Sequence, residues 1–334
     1  MQTLRRAREA QLLRDREEVA QLTKVEIDLR LLIRDRVLRP GFYACWAWAT
    51  TEKVLDAGLS SCQGAAVGRR EIPSGERVAN VLITGSTDGL GLMAAELLLG
   101  EGHAVTLHAR NEQRAADVSA RLPTAAGVLI GDLSSIEAMR SVAEQANAVG
   151  RFDAVIHNAG VGYREAQRIE TADGLAHVFA INVLAPYLVT ALMTRPERLV
   201  YLSSGLARGG DSDLSDPQWE ARPWDGFQAY SDSKLFDLVL AFGVARRWSD
   251  VRSNSVEPGW VSTKMGGPGA PDDISLAPVT QAWLAVSNEP AAGVTGQHFF
   301  HQRTRGTPPS AHSTETQDAL LDYCAALTGT PLPI

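Results

Sequence analysis

Cysteine is scarce. Cys45, Cys62 and Cys324 are the three thiols in 334 residues, and their spacing forms no metal or redox motif. That usage fits a reducing compartment, so the expected location is cytoplasmic and no metal is expected. Long hydrophobic runs are missing as well. Residues 42–49 are apolar but far too short to span a membrane. The first residues lack the apolar core of a secretory signal, and their many acids argue against an organelle transit peptide. Nor is there a surplus of positive charge. With a formal net charge of −7, nothing electrostatic draws the chain to nucleic acid or to an anionic membrane. What remains is the composition of an ordinary globular protein, long enough for one large domain with appendages or for two.

Glycine and proline are absent from residues 1–38, which are strongly charged, so 1–40 is expected as an amphipathic helical segment. Leu22, Val25, Leu29 and Leu32 form its one apolar stripe, too few heptads for a coiled coil. Residues 41–78 show no lasting periodicity and carry Gly58, Gly64, Gly68, Pro73 and Gly75, the composition of a linker.

From residue 79 the pattern changes to alternating strands and helices. Strands are expected over 80–83, 103–108, 127–130, 152–157, 198–202, 253–256 and 293–300. Helices are expected over 92–99, 136–146, 172–193, a long run ending near 248, and 278–287. Such alternation implies a Rossmann-type, doubly wound parallel sheet over 79–302, with ligands at the C-terminal strand ends. Residues 303–334 read as a tail with a short helix over 316–327.

Three groups of residues carry chemistry. The first strand runs directly into Thr84-Gly85-Ser86-Thr87-Asp88-Gly89-Leu90-Gly91 and then a helix. Glycines there let the backbone approach a pyrophosphate, and the helix start supplies unpaired N–H groups. The second strand ends in Ala109 and Arg110, where NAD-binding folds usually place an acid for the ribose hydroxyls; a guanidinium there suits a 2′-phosphate. NADP(H) is therefore expected in preference to NAD(H). Thirdly, Tyr230 and Lys234 stand four apart in a helical run, on one face. A nearby ammonium lowers the pKa of a phenol, which makes a general acid and base for a carbonyl or alcohol oxygen.

Taken together, these residues resemble the short-chain dehydrogenase/reductase family. The likeness covers residues 79–302: the glycine turn, Asp132 and Leu133 after the third strand, Asn158-Ala159-Gly160 after the fourth, and Asn182, Ser204, Tyr230 and Lys234 as a catalytic tetrad. Pro258, Gly259, Val261 and Thr263 match the loop that holds the nicotinamide half. The segment 205–227 between Ser204 and Tyr230 is longer than usual. It resembles the branch of retinol-dehydrogenase-like enzymes and ketoreductases. The resemblance implies an NADP(H)-dependent oxidoreductase interconverting a ketone or aldehyde and its alcohol, with a fairly apolar small molecule as substrate. In that reading Tyr230 exchanges the proton, Lys234 supports it and binds the nicotinamide ribose, Ser204 polarises the carbonyl, and Asn182 holds a water that links Lys234 to solvent. A homo-oligomer stays open, as does a non-catalytic NADP-binding sensor or scaffold. The glycine- and proline-rich stretch 266–273 is expected as a lid. Trp219, Trp224, Trp260 and Tyr163 are candidates for an apolar substrate cleft.

Overall fold

The computed structural model describes residues 77–334. The segment expected as helical over 1–40 and nearly all of the linker expected over 41–78 lie outside the described residues. The described chain begins with β1 (Asn80–Ile83), α1 (Gly89–Gly100), β2 (Ala104–Ala109), α2 (Glu112–Arg121), β3 (Gly127–Ile130), α3 (Ile136–Val149) and β4 (Ala154–His157). Three joined segments, His177–Phe179, Ala180–Leu184 and Ala185–Leu192, form α4. There follow β5 (Arg198–Leu202), α5 (Gly226–Arg247), β6 (Arg252–Val256), α6 (Val279–Val286), β7 (His298–Phe300), β8 (Arg303–Thr304) and α7 (Thr314–Thr328). No helix among the described residues is long and apolar enough to cross a membrane.

The strands make one sheet in the order β3-β2-β1-β4-β5-β6-β7-β8, parallel except for the β7–β8 hairpin. The chain order reverses beside β1, which pairs with β2 on one side and β4 on the other. In a doubly wound sheet, ligands bind in the crevice at that switch point, beyond the C-terminal strand ends. Alternation along each strand sorts the core onto two faces. Val81, Ile83, Val105, Leu107, Ile156 and Val200 pack against α1 and α6. Leu82, Val155, Leu199 and Tyr201 meet α3, α4, α5 and α7. Covered on both faces, the central strands are apolar almost throughout.

Strand β6 breaks that rule. Ser253, Asn254 and Ser255 are buried, and each spends its side chain on a hydrogen bond: Ser253 Oγ to Ala241 O, Asn254 Nδ2 to Val294 O, and Ser255 Oγ with His298 Nδ1. Their polarity costs little because it is satisfied.

Two expected elements begin about five residues later in the structure. Helix α4 begins at His177 rather than 172, because Gly174 adopts a left-handed φ of +78° and Glu170 bridges back to Ala176. Strand β7 begins at His298 rather than 293, because Pro290–Ala292 forms a 3-10 turn and Gly296 has a φ of +67°.

Residues 303–334 are built into the same core. Strand β8 pairs with β7, and Leu320, Leu321 and Cys324 of α7 are buried against α5. Trp248 Nε1 donates to Pro333 O at 2.6 Å and the Tyr187 hydroxyl to Thr330 O at 2.8 Å.

Candidate active site

The turn after β1 is held from two sides. From β4, Asn158 Nδ2 donates to Thr84 O and Gly85 O (3.0 and 3.1 Å), and the Asn158 and Ala159 N–H groups both donate to Thr84 Oγ1 (3.0 Å each). From β2, His108 Nδ1 accepts from Gly85 N at 3.0 Å, so its proton sits on Nε2, which donates to Gly131 O at 2.9 Å. Burial holds His108 neutral, its pKa lowered to about 4. The Ser86 hydroxyl donates to Ile83 O at 2.9 Å and accepts from His108 N at 2.9 Å.

Glycine is required here by space as well as by φ. A Cβ on Gly91 would stand 2.3 Å from Asn158 Nδ2. A Cβ on Gly89 would meet nothing within 4 Å, so the outer face of the turn is open where α1 begins. An open backbone face at a helix start is what a dinucleotide pyrophosphate needs, and the residues present fit such a group.

Asp88 caps α1, its Oδ1 accepting from Gly89 N at 2.8 Å. Its charge is answered by two cations. Lys264 pairs with Asp88 Oδ2, and Arg114 stands 3.6 Å from it while donating to Thr87 Oγ1 at 3.0 Å. The Lys264 contact leads the causes that hold Asp88 below its ordinary carboxylate range. Arg110 is exposed at the end of β2. At the neighbouring strand end Asp132 is exposed, accepting from Ser134 N at 3.0 Å, and Leu133 is buried.

Across the crevice, α5 carries Tyr230 and Lys234, both buried. Asp225 caps the helix by accepting from Phe227 N and Gln228 N. Lys234 Nζ lies 5.7 Å from the centre of the Tyr230 ring. Burial is the larger influence on the Tyr230 phenol and raises its pKa; Lys234 and a hydrogen bond from Ser204 pull it down without winning. The depression expected from the ammonium alone is thus outweighed by desolvation.

Ser204 follows β5 by two residues and accepts from Leu206 N at 3.2 Å. Its neighbour Ser203 points the other way and donates to Lys234 O at 2.7 Å. Asn182 sits in a π-helical turn of α4, Ala180–Leu184. There its Oδ1 accepts from Val161 N (2.8 Å), and its Nδ2 donates to Val161 O (3.1 Å) and Ser233 Oγ (2.9 Å). The amide therefore clamps the loop after β4 to α5. A Cβ on Gly160 would lie 3.4 Å from Asn182 Oδ1 and 3.6 Å from Lys234 Nζ, so glycine keeps this corner narrow.

The loop after β6 closes the site from above. Gly259 has a φ of +90°, with Pro258 before it and Val261 buried after it. Thr263 Oγ1 accepts from Gly266 N at 3.1 Å. Met265 then lies over the catalytic candidates: the Tyr230 hydroxyl reaches its Sδ at 3.8 Å, and the Tyr163 hydroxyl its carbonyl at 3.4 Å. Residues 266–273 are tied at both ends, by Trp260 Nε1 to Gly266 O and by Trp260 N to Asp272 Oδ2. Tyr163 packs edge-on to Tyr230 and to Phe227. Trp260 is exposed. Trp219 and Trp224 instead pack against each other within 205–227, with Arg222 over Trp219. That insertion is braced by its own contacts, Trp224 Nε1 donating to Glu165 O at 2.8 Å.

The structure thus gathers the glycine turn, Asn158-Ala159-Gly160, Asn182, Ser204, Tyr230, Lys234 and the 258–263 loop around one crevice. Arg114 joins them, and His108, Lys264 and Met265 do so unannounced. A polar residue in a buried strand was the only trace of His108; the others are ordinary surface letters in the sequence.

The chain is similar to several known proteins. Residues 79–206 match the family model described as short chain dehydrogenase. Short-chain dehydrogenase chyC of Penicillium rubens is 40% identical over 260 residues, covering 77% of this chain and all of that protein. Human retinol dehydrogenase 13 is 28% identical over 305 residues, covering 81% of this chain and 89% of the relative. A crystal structure of a protein from Mycobacterium paratuberculosis superposes with a TM-score of 0.65 at 25% identity, covering 77% of this chain and 95% of the other.

Proposed function

Because the chain belongs to the short-chain dehydrogenase/reductase family of oxidoreductases, we propose that it interconverts a ketone or aldehyde and its alcohol, with Tyr230 as general acid and base and NADP(H) as cofactor. The observation that carries the reading is the convergence of Tyr230, Lys234, Ser204 and Asn182 beside an open glycine turn, in one crevice at the C-terminal strand ends. The nicotinamide cofactor supplies the hydride when bound. Thr84, Gly85, Ser86, Thr87, Gly89, Leu90 and Gly91 would hold its pyrophosphate side, Asp132 and Leu133 its adenine side, and the loop from Pro258 to Thr263 its nicotinamide half.

Tyr230 delivers a proton to the carbonyl oxygen in reduction and removes one from the alcohol in oxidation. Ser204 offers that oxygen a second hydrogen bond, which gains strength as negative charge develops. Asn182 keeps the loop after β4 and helix α5 in register, so the geometry is set before substrate arrives. NADP(H) is favoured over NAD(H) by Arg110 in place of an acid, and by Arg114 and Lys264, which neutralise Asp88. An apolar substrate suits a mouth formed by Tyr163, Phe227, Met265 and Trp260. A cytoplasmic setting accords with the buried free thiol of Cys324.

The test is NADPH-dependent reduction of a panel of ketones and aldehydes by the purified protein and by Tyr230→Phe. Losing general acid catalysis should lower turnover by about 10²–10⁴ while NADPH binding is kept. Near-normal turnover in the Phe variant would refute the role of Tyr230. A wild-type protein that binds NADPH and reduces nothing would favour the sensor reading.

A further inference from the structure

Lys234 has a charge partner besides the phenol. Its ammonium donates to Asp237 Oδ2 at 2.8 Å and to Leu202 O at 2.7 Å. Asp237 lies one turn further along α5, and both side chains are buried, 7% and 3% exposed. Tyr230, Lys234 and Asp237 form a single buried array along one helix face, at the end of β5.

Counting charge in this array gives a definite sign. With the phenol protonated, Lys234 and Asp237 cancel and the array is neutral. Deprotonating Tyr230 would leave one net negative charge in a desolvated place. Without the carboxylate the count reverses: a protonated phenol beside a lone ammonium is net positive, and losing the proton makes the array neutral. Burial penalises net charge, so the carboxylate favours the protonated phenol.

Groups on the surrounding elements do not replace that charge. From β5, Tyr201 faces Asp237 and is pushed up, mainly by burial, beyond where it could ionise. From β4, His157 stacks on Tyr201 and is kept neutral by burial, its pKa lowered to about 3. Tyr163, from the loop after β4, and Ser204, from just after β5, are uncharged neighbours of Tyr230. On α5 itself, Asp232 is already paired with Arg222 at 3.0 Å.

We propose that Asp237 is a positioning residue that cancels the charge of Lys234 and thereby favours the protonated form of the Tyr230 phenol, ready to donate. The proposal rests on the reading of Tyr230 as the acid. It agrees with the directions found for the titrations: Asp237 adds to the burial that raises Tyr230, and Asp237 itself, pushed up to about 6 by burial, remains ionised at pH 7. In reduction the O–H bond of Tyr230 breaks as the new O–H bond forms on the product alcohol. The phenolate left behind regains its proton from solvent, and Asp237 favours that return.

The experiment is a tyrosinate absorbance titration of the full chain, compared with Asp237→Asn, using the Tyr230→Phe versions of both as blanks. A pH profile of NADPH-dependent reduction runs beside it. Asp237→Asn should move the Tyr230 titration to lower pH by about one unit or more, and the alkaline fall in reduction should move with it. Asp237→Glu should restore the wild-type position, and Asp237→Ser should repeat the shift if the amide is not accommodated. An unmoved titration, or one moved to higher pH, would overturn the proposal. The absorbance reading needs no turnover, so it decides the matter even if no carbonyl substrate is ever reduced.

Discussion

His108 offers a sharp test of how the cofactor turn is held. Replacing it with Asn keeps an acceptor near Gly85 N but abandons Gly131 O, which His108 Nε2 reaches at 2.9 Å. At pH 7 the lost partner of a buried carbonyl should destabilise the protein by about 1–3 kcal/mol. The imidazole is held at a pKa of about 4 by burial, below its ordinary 6.5. The sign follows from linkage. The unfolded chain binds a proton at His108 first as pH falls, so this part of the stability is whole above about pH 6.5 and is lost as pH drops toward 4. At about 1.4 kcal/mol per unit the loss reaches roughly 3 kcal/mol. Asn does not titrate. Wild type should therefore lose about 2–3 kcal/mol relative to His108→Asn between pH 7 and 4.5, closing or reversing the gap, as measured by urea unfolding at each pH. His157, with its pKa lowered to about 3, and Asp237, raised to about 6, titrate in both proteins and cancel in the difference. A gap that stays constant across that range would show that His108 is not held neutral by the fold, and the account of the turn would fail.

Other perturbations read other parts of the structure. Arg110→Ala should weaken NADPH binding by about tenfold and leave NADH binding nearly unchanged, as titrated by fluorescence quenching; equal losses for both would remove the basis for cofactor choice. Leu320→Ala, in the core between α7 and α5, should cost about 2–5 kcal/mol in denaturant unfolding, and a neutral result would mean that α7 is not part of the cooperative core. Met265→Ala should lower KM for bulky carbonyl substrates more than it changes kcat, since the side chain lies on the Tyr230 hydroxyl without being able to act as its acid.

Strong, local signals were legible in the chain as written. Apolar runs of four or five residues ending in glycine or in a polar pair marked β1, β3 and β5 to the residue. The doubly wound sheet followed from strand and helix alternation, because parallel neighbours need a crossover between them. The glycine turn and the Tyr230/Lys234 spacing announced themselves, since a left-handed φ and a shared helix face are short-range properties of backbone geometry.

Long-range partnership belonged to the tertiary structure alone. Strand β6 is polar in sequence and buried in fact, because Ala241, Val294 and His298 arrive from elsewhere to satisfy it. Asp237 reads as one more charge on a helix until burial leaves it nowhere to turn but Lys234. The phenol's pKa could be guessed from its lysine, yet its net direction is set by desolvation, which no local spacing encodes. Met265 and Lys264 stand 35 and 176 positions from the residues they touch. Spacing along the chain determines which groups share a helix or a turn; which groups lose water, and which charges must then answer one another, is decided only when the sheet brings them together.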